Sequence, residues 1–467
     1  MGKTKGQELE SKLLSKQKNI GEEDSSILGR SIEFCEGYKK FLTNKTEREV
    51  VEYTIPLLKS KGYTEYVRGT EYPAGSKIFF NNRGKNLVMM TIGSKDISEG
   101  FRMGASHIDS PRLDFKPNPL FEDADMAYFK THYYGGIKKY QWSTVPLSLH
   151  GVVSLRDGSK VMVNIGEDDD DPSFCVTDLL PHLAKEQMKK PATEVLLGEQ
   201  LNILIGCWPY SDKEVTQKVK LNVANILFEK YGIVEKDFLS AELCAVPAVT
   251  PKDLGMDRAM VGGYGQDDSV CAYASLIAEL DSKNPAYTTV TVFADKEETG
   301  SDGNTGMGSC FLRDFLEDFV SAYGLEIRHV LEKSVCLSCD VNAAFDPAFS
   351  DVFEKNNASY LNHGAVVSKY TGGGGKYSTN DASAETMRLV GDILDDANVT
   401  WQVGELGKVD IGGGGTIAMY LSAHNIDTVD VGVPVLSMHS PFEVVSKADV
   451  YMMYLAVHAF YNSTLRK

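Results

Sequence analysis

The chain has 467 residues, of which 42% are hydrophobic and 24% charged. At about 150 residues per domain it is long enough for two to four cored domains, and it is too apolar to be a disordered chain. The 48 Lys and Arg against 65 Asp and Glu give a net charge of −17, which argues against nucleic acid or an anionic membrane as partner. No apolar run is long enough for a membrane-spanning helix. The polar opening is not that of a signal peptide, and Gly6 stands where a myristoylation motif needs Ser or Thr. Eight scattered cysteines with no secretory signal fit reduced thiols in a cytoplasm. The Cys336–Cys339 pair lies in an apolar stretch and reads as buried thiols.

Residues 7–60 have apolar side chains at helical spacing, with Leu9, Leu13 and Leu14 followed by Ile32, Cys35, Tyr38, Phe41 and Leu42. Residues 85–92 read as a buried strand after an Asn-Asn-Arg-Gly turn. The texture then changes. Runs 147–155 and 160–165 flank Asp157-Gly158, a hairpin signal. The acidic run 167–171 reads as a solvated loop, and 179–188 and 215–231 read as helices. From 245 onward strands and helices alternate. Residues 270–280 are helical by spacing, 287–294 form a β-branched strand, 331–339 and 427–433 are apolar runs, and 450–461 is a closing helix. Such alternation argues an α/β fold around a central sheet. The glycine runs 372–375 and 412–415 lack the Lys-Ser/Thr of a phosphate loop and suit close approach of backbone to backbone or to ligand.

The chemistry-bearing residues stand at predicted strand ends, where open α/β folds form their pockets. In His107-Ile-Asp109 the two polar side chains share one face of an extended chain, so Asp109 can hold one ring nitrogen while the other meets a metal. Asp267-Asp268 precede a helix. Glu297-Glu298 follow the strand 287–294, and adjacent extended residues point opposite ways, one toward metal and one toward substrate. Asp340 ends an apolar run, and His439 follows another. Mixed His and carboxylate ligation suits zinc, cobalt or manganese. A pair of such ions sharing a carboxylate is a device for hydrolysis.

These segments carry a resemblance. The chain is similar to the aspartyl aminopeptidase/vacuolar aminopeptidase I family of di-zinc peptidases from about residue 30 to the C-terminus. The matching segments are Ala105-Ser-His-Ile-Asp-Ser-Pro-Arg-Leu, Lys116-Pro-Asn-Pro, Tyr134-Gly-Gly with Trp142, Pro146-Leu-Ser-Leu and Arg156-Asp. Further on they are Leu180-Pro-His-Leu-Ala, Gly265-Gln-Asp-Asp, Glu297-Glu-Thr-Gly-Ser, Ser338-Cys-Asp340 and Ser437-Met-His-Ser.

The resemblance implies a three-layer catalytic domain with a central mixed sheet, from 1–112 and 244–467. Between them, 113–243 would be an inserted β-rich dimerisation domain. It implies two divalent metal ions, zinc foremost, with His107 and Asp340 on one, Glu298 and His439 on the other, and Asp267 bridging. Glu297 would be the general base and Asp109 would orient His107. The reaction it implies would be removal of the N-terminal residue from peptides by metal-activated water, in a cytoplasmic homo-oligomer of dimers stacked into a dodecamer. His182 would reach a neighbouring subunit's site. A deacylase or carboxypeptidase on the same fold, or a non-catalytic oligomeric binding protein, are the alternatives. The sequence also departs from the family. Asn342-Ala-Ala-Phe-Asp-Pro replaces a His-Ala-x-His-Pro-Asn stretch, and Asp267-Asp268 replaces Asp-Asn. In Gly364-Ala-Val-Val-Ser-Lys369 the lysine is displaced by one. Lys369 and Lys408 are therefore candidates for contact with a substrate side chain, and acidic against neutral preference stays open.

Overall fold

The structure is a computed structural model that describes residues 4–14 and 17–466. Its largest sheet has nine strands, in the order Thr64–Glu65, Lys77–Asn82, Asn86–Thr91, Thr288–Ala294, Phe101–His107, Val335–Ser338, Asp427–Gly432, Ala365–Ser368, Trp401–Val403. The centre is parallel: Phe101–His107 lies between Thr288–Ala294 and Val335–Ser338, and Asp427–Gly432 continues it. The flanks include antiparallel pairs, so the sheet is mixed.

Both faces of this sheet are covered, and the sequence shows it as continuous apolar runs. Side chains alternate between the faces. Leu87, Met89, Phe293 and Leu337 enter one core with the helices Ile27–Phe41, Gln266–Asp281 and Lys447–Asn462. Val88, Met90, Val292 and Cys336 enter the other with Phe311–Ser321 and Ile327–Leu331. The helix Phe311–Ser321 buries Phe311, Leu312, Phe315, Leu316 and Phe319, an apolar stripe at helical spacing. Each fully buried side chain of this size contributes about 1.5–3 kcal/mol.

A second sheet of seven strands is antiparallel throughout and drawn from 112–247. Its core includes Leu113, Phe129, Trp142, Leu149 and Val246, with the helix Lys218–Tyr231 packed on it. The expected hairpin is present as Leu147–Ser154 and Lys160–Ile165. Its last strand, Ala241–Pro247, runs past residue 243. A third sheet of five short strands includes Pro434–Leu436 and Glu443–Ser446, which flank His439.

Two expectations need correction. Residues 179–188 form turns, not a helix, with only Gln187–Lys189 coiled. Pro181 interrupts the pattern, and Leu179, Leu180 and Leu183 stay exposed, so no core face stabilises a helix there. The acidic run is also not wholly solvated. The Glu167 side chain meets the buried Lys45 ammonium at 2.6 Å and His150 Nε2 at 3.0 Å, and Ser148 donates to it. His150 Nδ1 in turn meets Glu49 at 2.7 Å.

This network predicts an acid limb to stability. Burial alone would raise the Glu167 carboxyl, but His150, Lys45 and Ser148 outweigh it and hold it down at about 2. A carboxyl depressed in the folded state stabilises fully above its ordinary value of 4.5, and the contribution disappears as the pH falls toward 2. Glu167→Gln should flatten the fall in melting temperature across that window. An unchanged acid limb would take Glu167 out of the account.

Candidate active site

Four strand ends and one helix start converge on a cavity of about 530 Å³. His107 ends the central strand Phe101–His107, and Asp109 lies two residues on. Glu297 and Glu298 form a short turn after the neighbouring strand Thr288–Ala294. Asp340 follows Val335–Ser338 on the other side. Asp267 opens the helix Gln266–Asp281, and His439 sits at φ +63° on the loop after Pro434–Leu436. Segments hundreds of residues apart thus meet at one edge of the sheet.

Asp267 stands at the centre. Its Oδ1 lies 3.0 Å from His107 Nε2, and its Oδ2 lies 3.1 Å from His439 Nε2. One carboxylate therefore faces two imidazoles with separate oxygens, as a bridging ligand would. Asp340 Oδ1 is 3.9 Å from His107 Nε2, and Glu298 Oε2 is 3.4 Å from His439 Nε2. Each ring is oriented by its other nitrogen. His107 Nδ1 lies 2.9 Å from the Asp109 carbonyl oxygen, and His439 Nδ1 lies 2.7 Å from that of Gly136. Both Nε2 atoms are thereby directed at the carboxylates. The Asp109 carboxylate is 3.4 Å from His107 Nδ1 and accepts the amides of Glu297 at 3.1 Å and Glu298 at 3.2 Å.

The electrostatics fit a cation. Burial pushes the Glu297 carboxyl up to about 7; His107 opposes this, while Asp109 and Asp267 add to it. Burial, with Asp267 beside it, drives Glu298 well above the carboxylate range, and burial with Asp268 does the same to Asp340. Burial works against a charged His439 ring, yet Asp267 and Glu298 outweigh it and raise the ring to about 10. Glu298 Oε1 and Asp268 Oδ1 are fully buried without a hydrogen-bond partner. Buried carboxylate oxygens without donors are costly unless a cation satisfies them. His107, Asp267 and Glu298 offer atoms within ligand distance of one another, and so do His107, Asp268 and Asp340. The donors are imidazole and carboxylate, the set that suits zinc.

Two residues with a part in this geometry went unassigned in the sequence. Glu443, buried in the strand Glu443–Ser446, accepts the amide of His439 at 2.7 Å on one oxygen. Its other oxygen accepts those of Gln266 at 2.6 Å and Asp267 at 3.3 Å. Tyr134 donates to Asp109 at 2.7 Å. Only the matching Tyr-Gly-Gly segment pointed to Tyr134, and nothing local pointed to Glu443. The substrate-side candidates lie apart from this candidate metal cluster. The Lys369 ammonium is held by Asp381 and the Ala382 carbonyl. Lys408 donates to the Asp351 carbonyl at 2.6 Å and lines an adjoining pocket between the two glycine runs. His182 is exposed on the second domain. The glycine runs do pack together: a β-carbon on Gly413 would fall 2.3 Å from Gly373 Cα.

Residues 41–461 match the model of the family described as aminopeptidase I zinc metalloprotease, M18. The chain belongs to the M18 family. A probable M18 family aminopeptidase 1 of Clostridium acetobutylicum is 48% identical over 461 residues, spanning 97% of this chain and 99% of that one. The crystal structure of an M18 aminopeptidase from Thermotoga maritima superimposes with a TM-score of 0.92 at 42% identity, covering 96% of this chain and 100% of that chain. A structure titled as the mApe1 dodecamer of S. cerevisiae shares the fold at a TM-score of 0.73 and 21% identity, covering 93% and 96%. The M18 assignment makes the protein a zinc aminopeptidase, and the fold class expected from the sequence stands: an α/β catalytic domain with a separate β-rich domain.

Proposed function

We propose that this aminopeptidase holds two zinc ions and removes neutral, apolar N-terminal residues from peptides. The observation that carries the two-ion reading is Asp267, whose two oxygens face His107 and His439 separately. His107 and Asp340 would hold one ion, Glu298 and His439 the other, and Asp267 would bridge. Zinc supplies Lewis acidity there, easing deprotonation of water near neutral pH and drawing charge from a carbonyl oxygen.

The chain's residues do the rest. Glu297 lines the cavity together with Asp267 and Asp340 and would take a proton from water. Its carboxylate would accept that proton and return it to the leaving amine. Asp109 holds the Glu297 and Glu298 amides and so fixes where both side chains start. A free N-terminal amine would dock beside the metal pair, which would restrict cleavage to the first bond.

The first side chain would lie against Leu406, Met419, Tyr420 and Met438. Among the described residues no lysine or arginine lines this cavity, and Lys369 and Lys408 are engaged elsewhere. A buried acidic side chain would go unpaired there. For assembly, we propose a homo-oligomer like the S. cerevisiae dodecamer, with the exposed loop of Leu180, His182 and Leu183 as a subunit contact through which His182 reaches a neighbour's site.

A panel of aminoacyl reporter substrates tests the specificity. Leucyl and methionyl substrates should exceed aspartyl and glutamyl ones in kcat/KM by about tenfold or more. N-acetylated leucine substrates should be inert. Faster cleavage of acidic substrates would overturn the neutral preference, and cleavage of acetylated ones would point to a deacylase.

A further inference from the structure

The second domain touches the metal centre through three consecutive residues at the end of its strand Met126–Tyr134. The Tyr134 hydroxyl donates to Asp109 Oδ2 at 2.7 Å, on the carboxylate that also accepts the Glu297 and Glu298 amides. Gly135 adopts φ +75°, and a β-carbon there would fall 3.3 Å from both Cβ and Oε2 of Glu298. The Gly136 carbonyl accepts from His439 Nδ1 at 2.7 Å. Each residue thus reaches a different member of the site: Asp109, Glu298 and His439.

Local structure supports this placement. His439 sits in left-handed backbone on a loop, with a side chain 34% exposed, so it is held less by packing than His107 at 1%. Its carbonyl partner comes from the other domain, 303 residues away in sequence. The Tyr134 ring is itself fixed, with the Arg112 guanidinium 4.3 Å from its centre and Arg112 bound to Glu47 of the catalytic domain at 2.8 Å. Glycine meets both demands at position 135 without strain, left-handed φ and close approach to a ligand side chain.

We propose that Tyr134-Gly135-Gly136 is a positioning strap by which the second domain sets Glu298 and His439 for zinc and the Glu297 turn for proton transfer. The site held by Glu298 and His439 then reaches full affinity only when the two domains are docked. This inference rests on the proposed ligand roles of Glu298 and His439. A ring whose second nitrogen is pinned by a carbonyl has one tautomer and one orientation for a metal. Losing such an outer partner ordinarily costs about 10- to 100-fold in metal affinity or activity.

The test uses the full chain, stripped of metal and titrated with Zn2+ against a chromophoric chelator. Tyr134→Phe removes one hydroxyl and keeps the ring that Arg112 covers. It should lower the melting temperature of the metal-free protein only modestly, since Asp109 keeps its two amide donors, but weaken the weaker zinc by about tenfold or more and lower kcat with little change in KM. Gly135→Ala should lose about one zinc equivalent at a free-zinc level that saturates the parent. His439→Ala is the control for the ligand assignment. If it loses a zinc while Tyr134→Phe and Gly135→Ala bind both ions as the parent does, the strap is overturned and the ligand set stands. If His439→Ala keeps both zinc affinities, the ligand assignment falls and the strap with it. Should Gly135→Ala not fold, Tyr134→Phe decides alone.

Discussion

Glu297→Gln is expected to bind zinc as the parent does and to turn over a leucyl substrate about a thousandfold more slowly. The magnitude is that of a lost general base, about 10²- to 10⁴-fold. The amide keeps the volume of the carboxyl and its place in the cavity wall, but it cannot accept a proton. The turn itself is held through backbone, the Glu297 amide donating to Asp109 at 3.1 Å, so the substitution leaves that anchor in place. Zinc by elemental analysis and kcat on the same preparation check it. Unchanged kcat would remove Glu297 as the base, and lost zinc would make it a ligand.

Asp267→Asn should have the second large effect, through binding instead of chemistry. Both oxygens of Asp267 are committed, one toward each histidine. The amide nitrogen of asparagine cannot ligate a cation and brings no charge to neutralise one. Removing one member of a buried charged set ordinarily costs several kcal/mol, because its partners stay buried. Zinc content should fall below about one ion per chain, with activity down about a thousandfold or more. A variant that keeps two zinc ions would show that Asp267 does not bridge.

The elements read correctly from the sequence are those whose signal is local. The strand Thr288–Ala294 announces itself by β-branching, Leu147–Ser154 and Lys160–Ile165 by the Asp-Gly turn between them, and Lys447–Asn462 by helical spacing. Most of the candidate site residues stand out as charged or imidazole side chains near the end of an apolar run, with Asp267 instead at a helix start, and the fold brings these positions together. Contacts made across the chain were not legible. Glu443 acts on Gln266, 177 residues away, and Glu167 pairs with Lys45, 122 residues away. Nothing next to either residue marks it. The stretch 179–188 shows the opposite failure: its leucines are spaced for a helix, but no core surface receives them, and they stay exposed.

Glycine spacing was informative in kind but not in place. The runs 372–375 and 412–415 do bring backbone to backbone, with Gly413 against Gly373, and together they wall a pocket adjoining the site. The single Gly135 beside Glu298, at left-handed φ with 3.3 Å between a β-carbon and the Glu298 side chain, lies in no run.

A pair of zinc ions on these residues is proposed to serve cleavage of the first peptide bond. Its most direct test is to strip the protein with chelator and add Zn2+ back while following release of leucine. The stripped protein should show no turnover, recovery should saturate at about two equivalents per chain, and the N-acetylated substrate should not be cleaved at any zinc level. Turnover that survives stripping, or that saturates at one equivalent, would contradict it.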